Sequence, residues 1–130
     1  MTLTVELGFT DDNLLAILDD VSDEELNELD FGVIGIDANG IVRRYNAAEE
    51  RVSGVSAPRN IGSSLFQVVA PCMNNFLVAQ RFEDAAQNGE VLDALLDYVL
   101  TLRMRPTKVQ LRLLYAPGAR YGYVLIRRNK

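Results

Sequence analysis

Three side chains that can share or exchange protons, Tyr45, Glu49 and Ser53, follow one another at intervals of four residues. Because residues four apart lie on one face of a helix, a phenol, a carboxyl and a hydroxyl are expected to converge there. If that face is turned to the core, burial disfavours the charged form of the carboxyl, which can then donate a hydrogen bond to a bound anion. The alternative is that Glu49, beside Glu50 and Arg51, is a solvated charge on a helix surface.

Cys72 is the only cysteine of the chain and stands between Ala70-Pro71 and Met73. A lone cysteine is most often a small buried hydrophobe. The functional alternative is covalent attachment of a ligand through sulfur; a thioester suits this role, and a nearby helix N-terminus stabilises the thiolate before attachment. A thiol-redox sensor is a further interpretation, but the chain has no second cysteine to resolve an oxidised thiol.

The composition excludes several classes of function. The chain has no histidine, so zinc sites of the Cys/His kind and Ser-His-Asp or Cys-His catalysis within one chain are excluded. A length of 130 residues indicates one domain, and 48% apolar with 24% charged residues is typical of a globular protein. No apolar run approaches the roughly 18 residues of a membrane span, and the N-terminus has no signal-peptide pattern, so we expect a cytoplasmic protein.

Charge is separated between the two ends of the chain. The net charge of −5 predicts no affinity for nucleic acid or an anionic membrane. Residues 1–30 contain ten acids and no base, whereas residues 101–130 contain eight bases and no acid. This separation predicts that the two ends lie near each other or near partners of opposite sign. Two independently solvated surfaces are the alternative.

The first half of the chain predicts an acidic cap followed by a hairpin. Residues 10–29 have the spacing of two short helices, and Ser22 begins an S-x-x-E capping box. Residues 31–37 and 41–45 predict two strands, with Asn39-Gly40 supplying positive φ in the turn between them. The same turn faintly resembles a calcium loop, but the remaining ligands are missing.

The second half predicts helices and then a three-stranded meander. Asn46 caps a short helix over 47–52, and Phe76 to Asn88 is the strongest helix, with Phe76, Ala79, Phe82 and Ala86 on one face. Alternating residues predict strands over 91–103, 108–115 and 121–128. The chain is therefore expected to form an α+β domain, a five-stranded antiparallel sheet flanked by helices, with a ligand site between sheet and helices.

The sequence resembles the photoactive yellow proteins, a family of small blue-light receptors with the PAS fold, in three segments: Tyr45-Asn46-Ala47-Ala48-Glu49, Val69-Ala70-Pro71-Cys72 and Met104-Arg105-Pro106-Thr107-Lys108-Val109. The resemblance runs from about residue 12 to residue 128. It implies a PAS core over 31–130 with an N-terminal helical cap over 1–30. It also implies a cofactor, p-coumaric acid (4-hydroxycinnamic acid), bound to Cys72 as a thioester.

The resemblance assigns roles to particular residues. Tyr45 and a protonated Glu49 would hydrogen-bond the phenolate of the p-coumaroyl chromophore, Ser53 would support Tyr45, and the backbone N–H of Cys72 would hold the chromophore carbonyl. The further residues expected at the chromophore are Val55, Pro71, Tyr98 and Met104. Val55 occupies the place of an arginine common in the family, and Leu100 and Leu102 replace common aromatic residues, so absorption maximum and photocycle rate stay open.

The implied function is light sensing without substrate turnover, so no enzymatic activity is expected. Light would isomerise the chromophore from trans to cis, Glu49 would give up its proton, and the acidic cap would be released. The partner would be an unknown downstream signalling protein, and the chain would be a monomer or weak dimer. The alternative function is a chromophore-free PAS module that senses or docks partners through its sheet.

Overall fold

The computed structural model describes residues 8–53, 57–101 and 106–128, with the backbone alone at Ser53. The helices are α1 (Leu14–Asp20), α2 (Asp23–Leu26), α3 (Ala47–Ser53), α4 (Ala57–Asn60) and α5 (Ala79–Asn88). A π-helical turn (Leu65–Val69) and a 3-10 turn (Pro71–Met73) lie between α4 and α5. The strands are β1 (Gly32–Ile36), β2 (Val42–Tyr45), β3 (Leu92–Leu100), β4 (Thr107–Tyr115) and β5 (Gly122–Arg128).

The five strands form one antiparallel sheet in the order β2-β1-β5-β4-β3. This confirms the predicted hairpin, helical crossover and meander, and the α+β architecture. Strand alternation gives the sheet two covered faces. Val124 and Ile126 of β5 point to an inner face under the later helices, whereas Tyr123 and Leu125 point to an outer face under α1 and α2.

The two N-terminal helices cover the outer face and are called the cap. Leu14, Leu18 and Leu26 are fully buried against Tyr123 and Leu125 of β5. The predicted capping box is confirmed, because the Glu25 N–H donates to Ser22 Oγ (3.1 Å) and the Ser22 N–H donates to Glu25 Oε1 (3.2 Å). Because the acidic cap packs on β5, the described portions of the acidic first part and the basic last part of the chain lie near each other.

The expectation for Arg112 on β4 is wrong. The alternation of β4 predicts that Arg112 faces water, but the Arg112 side chain is only 8% exposed because the cap lies over it. Its guanidinium donates to the carbonyls of Phe9 (3.1 Å) and Asp11 (2.7 Å) and pairs with Asp93 (2.9 Å). Alternation showed that the two faces of β4 differ, but not that the second face is also covered.

The long helix begins later than its spacing predicts. α5 starts at Ala79, and Phe76 is 85% exposed instead of packing in the core. The cause is Asn75, whose side-chain carbonyl accepts the N–H groups of Leu77 (2.9 Å) and Val78 (3.3 Å) and holds them in a turn. Ala79, Phe82 and Ala86 line one cavity, so their predicted common face is confirmed, although Ala86 is exposed and the buried residues of α5 are Phe82 and Ala85.

Asp37 organises the β1–β2 turn. Its carboxylate accepts the N–H groups of Asn39 (2.9 Å) and Ile41 (3.1 Å) and pairs with Arg43 (2.9 Å). The small degree of burial opposes ionisation, but these hydrogen bonds outweigh it and lower the pKa of Asp37. Gly40 has φ +76°, whereas Asn39 does not adopt positive φ, so one left-handed residue closes the turn. Among the described residues, no helix is long and apolar enough to cross a membrane.

Candidate functional site

Tyr45 reaches the inner face because β2 contains a bulge. Ile34 pairs with Tyr45 and Gly35 with Arg44, but Ile36 pairs with Val42, so Arg43 is the extra residue. Arg44 consequently points to the cap and Tyr45 to the inner-face cluster, where it is buried. The orientation of Tyr45 is therefore set by the irregular strand pairing and not by helical spacing.

Asn46 connects β2 to α3 and is fully enclosed. Its side-chain carbonyl accepts the N–H groups of Val33 (2.9 Å) and Glu49 (3.2 Å), which is the predicted cap of the helix. Its amide donates to the carbonyls of Leu26 in the cap and Phe31 before β1, both at 3.0 Å. One buried amide thus joins the cap, the sheet and the helix that carries Glu49.

Glu49 is buried, with 1% of its side chain exposed, and forms a two-point ion pair with Arg128 at the end of β5. Arg128 Nη1 donates to Oε1 (2.8 Å) and Nη2 to Oε2 (3.1 Å). The carboxylate lies directly over Gly32, where an added Cβ would collide with Oε1. The solvated-charge interpretation of Glu49 is wrong. The carboxyl accepts hydrogen bonds from a cation here, whereas the sequence predicted a neutral donor.

Cys72 lies in the 3-10 turn, half-buried against the inner-face cluster that also contains Tyr45. Its backbone carbonyl accepts the Tyr98 hydroxyl (2.5 Å) and the Asn75 side-chain amide (3.1 Å). The Asn75 amide also contacts the Tyr98 hydroxyl oxygen (2.6 Å). The loop that carries the thiol is thereby tied to β3 by a small polar network.

The other predicted site residues are placed as follows. Pro71 is exposed at the start of the 3-10 turn, and Tyr98 is half-buried on β3. The Ser53 side chain, Val55 and Met104 lie outside the described residues. Tyr45, Cys72 and Tyr98 share one cluster.

Sequence reasoning missed Arg128 and Asn75. The inward position of Arg128 follows from the alternation of Val124 and Ile126, so β5 did carry a signal. The pairing of residues 49 and 128 depends on strand order, which local patterns do not contain. Asn75 has no signal of its own beyond the preference of Asn for turns.

Two surface cavities lie elsewhere in the described part of the chain. One of about 570 Å³ lies between α1 and the ends of β3 and β4, beside Asp93 and Arg112. Another of about 660 Å³ lies between the β1–β2 turn and α5, beside Phe66 and Phe82. Tyr45, Glu49 and Cys72 do not line either cavity.

The inner-face cluster contains the phenol of Tyr45 and the half-buried thiol of Cys72 among apolar side chains, and the buried Glu49 carboxyl lies over Gly32 beside Arg128. Such surroundings make a bound anion costly unless donors satisfy it. Hydrogen bonds to a charged oxygen are the strong ones, so a phenol and a neutral carboxyl can hold a phenolate.

Comparison with known families and structures agrees with the architecture. A family model described as PAS fold matches residues 22–127. A photoactive yellow protein of Halochromatium salexigens is 39% identical over 105 residues, which is 81% of this chain and 83% of that protein. One of Rhodothalassium salexigens is 32% identical over 122 residues, 94% of this chain and 97% of that protein.

A solved structure shares both fold and sequence with the chain. It is the photoactive yellow protein domain of the sensor histidine kinase Ppr from Rhodospirillum centenum. The two superpose with a TM-score of 0.79 at 34% identity, covering 88% of this chain and 99% of that domain.

Proposed function

Because the chain belongs to the photoactive yellow protein family and has the PAS fold, we propose that it is a blue-light photoreceptor with a p-coumaroyl chromophore bound as a thioester to Cys72. The observation that carries the proposal is the position of the only cysteine. Cys72 packs against the same inner-face cluster as Tyr45, next to the strand that carries Tyr98. A sensory function, without substrate turnover, is what the family implies.

The residues of the site fit this group. A p-coumaroyl thioester needs a thiol for attachment, an apolar enclosure for its ring and donors for its phenolate. We assign the attachment to Cys72 and the apolar enclosure to the inner-face cluster. We assign the donors for the phenolate to Tyr45 and Glu49. When bound, the chromophore supplies absorption of blue light and a trans-to-cis isomerisation about its double bond.

Proton movement at Glu49 is the proposed response of the protein. Its neutral carboxyl would hold the phenolate of the bound group by a hydrogen bond, and Glu49 would be the proton donor in the light response. The cap is the proposed output, because Asn46 joins the backbone of Glu49 to the carbonyl of Leu26. The Asn46 side chain therefore links a change at α3 to the cap. The proposed receiver is a downstream signalling protein, as the kinase-linked domain of Rhodospirillum centenum suggests.

Reconstitution with an activated p-coumaric acid derivative tests the proposal. We expect a visible absorption band that bleaches under blue light and is absent in Cys72→Ala. Glu49→Gln is the comparison variant, because it keeps the thiol and removes the transferable proton. It should form the pigment with a shifted band and show no protonation change at residue 49 in infrared difference spectra. No visible band in the unsubstituted protein, or a band that survives in Cys72→Ala, contradicts the proposal.

A chromophore-free interaction module is the second candidate, and β3 favours it. β3 is an edge strand, and its outward side chains Leu95 (52%) and Val99 (47%) are exposed beyond the cap. Exposed apolar side chains on an edge strand are suited to docking. Intact mass of protein isolated from its native host separates the two candidates. An adduct on Cys72 supports the photoreceptor, and the bare mass supports the module.

A further inference from the structure

The buried Glu49–Arg128 pair points to a function that the cofactor proposal alone does not explain. We propose that Arg128 is the counter-ion of ionised Glu49, so that this carboxyl alternates between a neutral form facing the chromophore and an ionised form held by Arg128. This inference rests on the proposed function for its role in the light response. The pair itself is argued from the contacts between the two side chains.

The geometry is that of a strong, specific ion pair. Both carboxylate oxygens of Glu49 accept a separate guanidinium N–H, at 2.8 and 3.1 Å. Two parallel bonds of this kind fix orientation as well as charge. Glu49 is 1% exposed and Arg128 17% exposed, so solvent screens the carboxylate little. An ionised Glu49 at this position depends on Arg128 for most of its stabilisation.

The fold builds this contact from three separate segments. Gly32 of β1 pairs with Ile126 of β5, so Arg128 lies two residues further along the same inward-facing side of β5. The Glu49 side chain crosses β1 at Gly32, where an added Cβ would collide with its carboxylate. The missing side chain at Gly32 is therefore what lets Glu49 reach Arg128.

Arg128 changes the energetics of proton transfer from Glu49. In that step the O–H bond of the Glu49 carboxyl breaks, a new O–H bond forms at the phenolate oxygen, and the negative charge moves to Glu49. A buried carboxylate without a partner is costly, and its formation would be reversed at once. Arg128 offers that carboxylate two N–H donors, so the charge transfer is stabilised within the protein. When the proton returns to Glu49, the ion pair between Glu49 and Arg128 is broken.

Infrared spectroscopy of the protein without chromophore tests the counter-ion directly. The band of residue 49 is identified by its loss in Glu49→Gln. We expect Glu49 to be ionised at neutral pH in the unsubstituted protein. In Arg128→Gln we expect a protonated-carboxyl band, with the ionised fraction falling about tenfold or more. Arg128→Lys, which keeps the charge, should retain most of the ionised form.

Two further variants complete the test. Arg81→Gln removes the same charge from an exposed position on α5 and should leave the Glu49 band unchanged. Gly32→Ala leaves Arg128 intact but pushes the carboxylate away, so it should also produce the protonated band. A protonated Glu49 in the unsubstituted protein, or an ionised Glu49 in folded Arg128→Gln, overturns the inference. The first of these outcomes can be read even if a variant fails to fold.

The pigment provides the second readout. Under steady illumination, Arg128→Gln should accumulate about tenfold less of the state in which the chromophore is protonated, and Arg128→Lys should fall between the two. Equal accumulation in Arg128→Gln and the unsubstituted pigment contradicts the role in the light response. If no pigment forms at all, the photoreceptor proposal fails, whereas the infrared result on the chromophore-free protein still decides the Glu49–Arg128 pair.

Discussion

The two faces of the sheet both contain enclosed arginines, but they use them differently. On the outer face, Arg44 donates to the backbone carbonyls of Leu18 (2.6 Å) and Val21 (2.5 Å), which belong to the cap. Arg112 binds two further backbone carbonyls near the start of the cap. Each of these arginines also pairs with an exposed aspartate, Asp23 or Asp93. On the inner face, Arg128 binds the carboxylate of Glu49.

This difference separates a fixed attachment from a switchable one. A backbone carbonyl cannot gain or lose a proton, so Arg44 and Arg112 hold the cap whatever the protonation of the site. A carboxylate can be neutralised, so the bond to Arg128 exists in one protonation state only. Burial alone lowers the pKa of Arg44, but the Asp23 carboxylate and the Tyr123 hydroxyl outweigh it and raise that pKa, which keeps the outer attachment charged.

Asn46→Ala should have the largest effect, because it removes a buried amide that joins the two faces through four hydrogen bonds. The substitution removes hydrogen bonds from two buried N–H groups and from the carbonyls of Leu26 and Phe31, which should cost about 3–4 kcal/mol in the free energy of unfolding. Denaturant unfolding measures this loss. Asn27→Ala is the control, since exposed Asn27 accepts one N–H from Ala47 (2.7 Å) and should cost less than about 1 kcal/mol.

Hydrogen exchange in Asn46→Ala tests the link between the faces. Amides of both α2 and α3 should exchange faster, because Asn46 bonds to Leu26 on one side and to Glu49 on the other. Faster exchange in α3 alone would mean that the cap is held independently of the site. That result would remove the proposed route from Glu49 to the cap.

Arg44→Met should have the next largest effect, confined to the outer face. Met preserves most of the apolar packing but leaves the carbonyls of Leu18 and Val21 and the Tyr123 hydroxyl without their donor. We expect a loss of about 2–3 kcal/mol in unfolding free energy. The infrared band of Glu49 should not move. A changed Glu49 band would contradict the separation of the two attachments.

The neighbouring arginine is a matched control for Arg44→Met. Arg43 has the same charge and lies on the same strand, but its side chain is 46% exposed and pairs with Asp37 in the turn. Exposed ion pairs contribute little, so Arg43→Met should cost less than about 1 kcal/mol. Equal losses in the two variants would show that the buried carbonyl contacts of Arg44 are not what stabilises the cap.

Local sequence patterns predicted the elements well because the relevant interactions are local. Period-two alternation identified the strands, and the capping box at Ser22 identified α2. The bulge in β2 was not predictable in this way, because it is a property of the pairing between two strands. Helical spacing likewise extended α5 to Phe76, since it carries no information on the competing hydrogen bonds of Asn75.

The same distinction between local and long-range interactions applies to the residues of the candidate site. Tyr45, Glu49 and Cys72 could be named from their types, spacing and motifs, and so could the need for a donor at a buried anion. Arg128 could not, because residues 49 and 128 meet only through the order of strands in the sheet. A separation of 79 residues leaves no trace in a local pattern.

The smallest expected effect is an alkaline pH dependence of the outer face, carried by Tyr123. Burial raises the pKa of its hydroxyl well above the ordinary value of 10.0; Arg44 opposes the shift and the nearby Asp19 carboxylate adds to it. Because the folded state keeps this proton longer than the unfolded chain does, the associated stability is fully present below pH 10.0 and is lost as pH rises above it. Between about pH 9 and 11 the free energy of unfolding should fall by about 1 kcal/mol more in the unsubstituted protein than in Tyr123→Phe.

Chemical unfolding at the two pH values measures this difference. Tyr121→Phe is the control, because Tyr121 directly precedes the same strand, β5. Parallel pH profiles for Tyr123→Phe and the unsubstituted protein would mean that no group with a raised pKa holds the outer face.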